Sequence, residues 1–183
     1  MKNTTSRRLF MRNSAFAITG LAVLTPAITS AFTPAESPYL GYNPYAENKN
    51  DLRTGILNFS SVIVQGTIYE NDGITAVRNA VVEVWHLSPN SVKYRHRAKI
   101  ITDERGNYEF ITDFPNREEG RNARIYFKVS NSEKTNFTEL ILNTSGAHIT
   151  GEHWAKNQKL GDKLFPKKVD FADQKRIQFN ISI

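Results

Sequence analysis

Residues 81–110 read VVEVWHLSPNSVKYRHRAKIITDERGNYEF. The opening alternates: Val82, Val84 and His86 fall on one face, and Val81, Glu83 and Trp85 on the other, which is the period of a strand. A polar loop with Tyr94 and His96 follows. Lys99–Thr102 is a second short strand. Asp103-Glu104-Arg105-Gly106 then turns the chain into Asn107–Thr112, where Tyr108 and Phe110 share a face. Working outward, the period of two persists. Ser60–Glu70 alternates and is rich in β-branched residues, Asn71-Asp72-Gly73 is a turn signal, and Val77 begins the strand that runs to Trp85. Downstream, Ala123–Ser130, Phe137–Leu142 and Lys175–Ile183 read as strands, and Gly151–Leu160 is the one helical piece. Short strands separated by turns predict an all-β fold, an antiparallel β-sandwich of about seven to nine strands with little helix.

The N-terminus reads differently. Residues 1–12 carry Lys2, Arg7, Arg8 and Arg12 and no acid, and residues 15–31 are apolar and small, ending Ile28-Thr29-Ser30-Ala31. A basic start, a short apolar core and small residues before a cut site predict a removable export signal over residues 1–31. Ser6-Arg7-Arg8-Leu9-Phe10-Met11 resembles the twin-arginine motif, a bacterial export address that delivers folded proteins, often already loaded with a cofactor. The expected destination is periplasmic or secreted. The apolar part is short for a membrane span and no second one follows, so no transmembrane segment is expected in the mature chain. Residues 32–57, with Pro34, Pro38, Pro44 and Tyr39, Tyr42, Tyr45, form an arm or linker whose tyrosines can pack on the domain at 58–183.

Without residues 1–31 the chain keeps 20 of its 24 basic residues and all 18 acidic ones, a net charge of +2. Such a balance does not point to nucleic acid or an anionic membrane as partner. The chain has no cysteine, which removes thiol nucleophiles, cysteine-ligated zinc and disulfides.

Four stretches, in this order, resemble the intradiol ring-cleavage dioxygenases: the strand from Val64 with its D-G turn and Asn79–Trp85; the loop Lys93-Tyr94-Arg95-His96; the hairpin Thr102–Phe110; and Arg121–Phe127 followed by Phe137–Leu140. The first and third also occur in transthyretin-like (prealbumin-like) and carboxypeptidase-regulatory-like sandwiches. The family resemblance implies a ferric ion held by two tyrosinates and two histidines, opening catechol rings: an oxidoreductase of aromatic catabolism. It implies Tyr94 as first ligand and Arg121 as the arginine that stabilises charge on the substrate.

Here the chain departs from the family. No tyrosine follows Pro115 before Arg124, and Arg124 and Tyr126 stand where the two histidines belong. A guanidinium has no lone pair to give a metal. The first expectation is therefore an exported binding module without the usual ferric site, no cofactor, and a cationic cleft of Tyr94, Arg121, Arg124, Tyr126 and His96 for a small molecule or protein. The alternative is a rearranged Fe(III) site of Tyr94 and Tyr126 with His86 or His96, the phenols acidified by Arg124. A structural, carboxypeptidase-regulatory-like sandwich is the third reading. His148 and His153, five apart, lack the spacing of a helical ligand pair.

Overall fold

Alternation along β1 (Ser61–Tyr69) turns Val62, Val64 and Ile68 inward and leaves Gln65 and Thr67 outside. A computed structural model describes residues 37–55, 61–171 and 174–183; the export signal expected over 1–31 lies outside them. After β1 come β2 (Val81–His86), β3 (His96–Ile101), β4 (Asn107–Asp113), β5 (Ala123–Ser130), β6 (Thr135–Asn143) and β7 (Gly146–Ile149). Helix α1 (Gly151–Asn157) runs into a 3-10 turn at Gln158–Lys163, and β8 (Lys167–Phe171), β9 (Gln174–Gln178) and β10 (Ile181–Ser182) finish the chain. Thr150 caps α1, its hydroxyl accepting from the His153 N–H. Among the described residues no helix is long and apolar enough to cross a membrane.

Two five-stranded sheets face each other. One runs β3-β2-β5-β6-β7, antiparallel throughout. In the other, β1 pairs with β4 on one side and with β9 and β10 on the other, and β8 lies beyond β9. Val82, Val84, Phe110, Ile125, Phe127 and Leu140 meet between the sheets, each at most 1% exposed. Burying such a side chain is worth about 1.5–3 kcal/mol, so the sandwich is held mainly by this layer.

Strands β7 and β8 were not expected from the sequence, and two further features were not legible in it. The alternating stretch from Lys175 is one strand by pattern but two in the structure, and both pair with β1 in parallel. The break falls at Phe179-Asn180. The Phe179 carbonyl accepts from the Tyr108 hydroxyl at 2.7 Å, and a Cβ at Gly66 would lie 1.7 Å from that oxygen. Asn180 fills the gap, accepting from the Thr67 N–H and donating to the Lys163 carbonyl. The second feature is a clasp made by the arm. The Lys99 N–H donates to the Glu47 carbonyl and the Ile111 N–H to the Asn50 carbonyl, both at 2.8 Å. Lys99 is on the edge strand of one sheet and Ile111 on the edge strand of the other. Residues 47–52 thus cover both edges on one flank and seat Leu52 in the core.

Candidate functional site

Tyr94, Arg121, Arg124 and Tyr126 come together on the outer face of the β3-β2-β5-β6-β7 sheet. Strand parity explains it: with Ile125 and Phe127 inside, Arg124, Tyr126 and Lys128 point out, as Trp85 and Glu83 do on β2. The residue that organises them is Glu118. Its loop is pinned to the β2–β3 loop, where the Asn116 N–H donates to the Leu87 carbonyl and its side-chain amide to the Ser91 carbonyl. Gly120, at φ +69, turns that loop back toward β5.

The Tyr94 and Tyr126 hydroxyls both donate to Oε1 of Glu118, each at 2.7 Å. Arg121 reaches Oε2 at 3.3 Å, and Arg124 pairs with Glu139 at 2.5 Å. Burial and then the Glu118 carboxylate push both phenols well above their ordinary range. The acidifying influence expected of Arg124 is outweighed by burial and by the Glu118 carboxylate. Glu118 itself is held below its ordinary value: burial raises it, but the two hydroxyls and the arginines outweigh burial. Between Leu87, Asn116, Glu118, Asn122, Arg124 and Tyr126 there is no room for a water. The cleft expected between the two arginines is filled at Arg124, which Glu139 holds, whereas Arg121 is 59% exposed and lines an open concavity of about 750 Å³ with Arg117 and Glu118.

His86 and His96 do not join this group. The parity that sends Trp85 outward sends His86 inward, and the two imidazoles stack 4.8 Å apart at the end of the core. Nδ1 of His86 donates to the Leu87 carbonyl, so Nε2 accepts from the Thr112 hydroxyl, both at 2.7 Å. Burial takes the His86 imidazole down to about 3, and it stays neutral. Nε2 of His96 meets Asp113 at 3.0 Å and Nδ1 meets Ser88 Oγ at 2.8 Å. Thr54, from the arm, gives both its N–H and its hydroxyl to the same Asp113 oxygen. Ser88, His96 and Asp113 thus touch in the order of a hydrolase triad. At 6%, 2% and 0% exposure no substrate reaches them, and the cluster ties the arm and loops to the sandwich. His148 and His153 part as well: His148 bonds Asn143 at the surface, and His153 lies in the core against Phe179 and bonds Thr138.

The donors present do not fit the family's ferric ion. Ligation needs phenolate lone pairs, and both phenols keep their protons on Glu118. Arg124 cannot ligate, and the nearby imidazoles are on the far side of the sheet with both nitrogens engaged. Among the described residues no three His, Cys, Asp or Glu side chains group as a metal site.

The arm completes the face. Tyr39 stacks on Tyr126 with ring centroids 4.8 Å apart, and Tyr42 lies 5.1 Å from Trp85. The Trp85 indole N–H donates to the Leu40 carbonyl at 2.9 Å. Tyr42 shares its hydroxyl between Glu83 and Lys128. Arm packing was open in the sequence through its three tyrosines. Glu118 lies in an irregular loop, and strand parity does not place it. Its role as hub has one sequence signal: an acidic pair, Glu118-Glu119, in the loop where the family places its second tyrosine.

No protein-family model matches the chain, and no curated protein does. Solved structures match over most of its length. The dioxygenase domain of a dioxygenase and carbohydrate-binding protein fusion from the cellulolytic bacterium Streptomyces sp. SirexAA-E is 14% identical, covers 81% of this chain and 94% of its own, and superposes with a TM-score of 0.59. An intradiol ring-cleavage dioxygenase from Tetranychus urticae gives 14%, 81%, 91% and 0.59 in the same order. Chlorocatechol 1,2-dioxygenase from Pseudomonas putida gives 20%, 80%, 69% and 0.58. At these identities the likeness is one of fold, and the fold is that of the intradiol dioxygenases.

Proposed function

We propose that this chain is an exported protein that uses the intradiol dioxygenase fold to bind rather than to cleave rings. One observation carries the reading: a single carboxylate oxygen, on Glu118, accepts from both tyrosines that a ferric ion would need as phenolates. A carboxylate flanked by Arg121 and Arg124 neutralises the site with protein charge alone and leaves no call for a cation. The sheet face above it is aromatic and polar, covered by a tyrosine-rich arm, which suits contact with peptide or protein chains.

The test is iron. Purified protein equilibrated with ferric ion and washed is expected to be colourless and free of stoichiometric iron. A strong visible band of ferric tyrosinate, bleached by Tyr94→Phe, sinks the binding reading. That outcome favours a ferric enzyme on a rearranged ligand set, for which the convergence of Tyr94 and Tyr126 is the one supporting observation. Export is part of the proposal and rests on residues 1–31. Arg7→Lys with Arg8→Lys is expected to leave the precursor inside the cell, and an unchanged export route overturns the twin-arginine assignment.

A further inference from the structure

Residues 37–46 lie on the sandwich as a ligand lies on a receptor. None of them belongs to the apolar core between the sheets, and none is in a strand. Three of the four residues from Tyr39 to Tyr42 meet the sandwich and one does not. Tyr39 goes down onto Tyr126, Leu40 points away at 75% exposure, Gly41 lies under the Tyr94 ring, and Tyr42 goes down onto Trp85. Gly41 is required twice over. Its φ is +78, and a Cβ there would stand 2.2 Å from Cγ of Tyr94. The receptor side is ready-made: Tyr94 and Tyr126 are fixed by Glu118, and the Trp85 indole N–H is spent on one carbonyl of the segment. Glu83 and Lys128, 2.8 Å apart, hold a phenol hydroxyl between them.

We infer that the outer face of this sheet is a peptide-recognition groove that reads Tyr-x-Gly-Tyr, filled by the chain's own Tyr39-Leu40-Gly41-Tyr42 and able to take the same segment from a second copy. Each position has its own reader: Tyr126 for the first ring, the Trp85 indole for the following carbonyl, Tyr94 for the absent Cβ, and the Glu83–Lys128 pair for the last hydroxyl. Leu40 has none, which makes the second position free. A second copy presents the identical segment, so exchange conserves every one of these contacts. A tethered segment acts at an effective concentration of about a millimolar, so the groove is closed to outside peptide unless its own arm is weakened. This inference rests on the binding reading above. Iron uptake sinks that reading, whereas a colourless protein that ignores the peptide sinks only the inference.

The experiment uses the full chain carrying Gly41→Ala, whose own arm clashes with Tyr94, and a labelled synthetic peptide of residues 37–45, SPYLGYNPY. Fluorescence anisotropy is expected to show saturable one-to-one binding to the variant and at least tenfold weaker binding to the unmodified chain. Peptide with Leu40→Ser should bind like the parent peptide, and peptide with Gly41→Ala should not bind. Lys128→Ala in the receptor should weaken binding severalfold. If Gly41→Ala does not fold, Tyr39→Ala, which removes one stacked ring and no backbone constraint, replaces it as receptor. A folded receptor, judged by a cooperative melt, that binds no peptide overturns the proposal, as does a peptide that binds equally well with Gly41→Ala.

Discussion

Glu118 is where residue-scale chemistry separates this chain from the dioxygenases whose fold it has. Glu118→Ala leaves two half-buried hydroxyls without an acceptor and Arg121 without a partner, a loss expected at about 2–4 kcal/mol in denaturant unfolding. Glu118→Gln keeps an acceptor and removes the charge, so it should cost less and lower the pH at which Tyr94 and Tyr126 ionise. Ultraviolet titration of tyrosinate reads that shift; an unmoved titration means burial alone holds the protons. The residue types at Tyr94, Arg121, Arg124 and Tyr126 were legible in the sequence, and so was their meeting, because strand parity and the family's order of pieces place them. What parity also dictated, that His86 faces away from Tyr126, is decisive against a mixed tyrosine–histidine site. Glu118 was harder to see because it sits in an irregular loop, where no period says which way a side chain points.

At the scale of elements, the clasp of residues 47–52 has no counterpart in the sequence pattern. Its hydrogen bonds are main-chain bonds to Lys99 and Ile111, which any residue type can make, so only Leu52 marks it. Leu52→Ala is expected to cost about 2–4 kcal/mol. Hydrogen exchange gives a sharper readout: the Lys99 and Ile111 amides, bonded to the arm, should be protected in the parent protein and exchange much faster in the variant. Protection unchanged at both amides contradicts the clasp. By contrast strands β4 and β5 were legible almost to the residue, because alternation is local; β3 begins at His96, three residues earlier than expected, and the expected hairpin is instead a turn between sheets, since β3 pairs with β2 and β4 with β1. The parallel pairing of β9 and β10 was not legible. It joins stretches more than a hundred residues apart, and nothing in an alternating strand says on which neighbour, or in which direction, it will lie.

For the whole molecule, groups held neutral bound the stable range on both sides. His86 and His153 are lowered by burial from 6.5 to about 3 and about 4, so the unfolded chain takes up protons first; their contribution is full above pH 6.5 and lost as pH falls below it. Tyr94, Tyr108 and Tyr126 are raised above 10.0, so their contribution is full below pH 10.0 and lost as pH rises beyond it. The melting temperature is expected to form a plateau between those limits and to fall on either side. A single peak near neutrality, with no plateau, contradicts this account. One feature of the topology reaches beyond stability. Strand β9 lies between β1 and β8, so the middle of one sheet stays open until residues 174–178 arrive. A ribosome delivers β1 first and β9 more than a hundred residues later. That side of β1 therefore stays unpaired while the hundred residues between them are made, and this sheet can close only once residues 174–178 are free to pair.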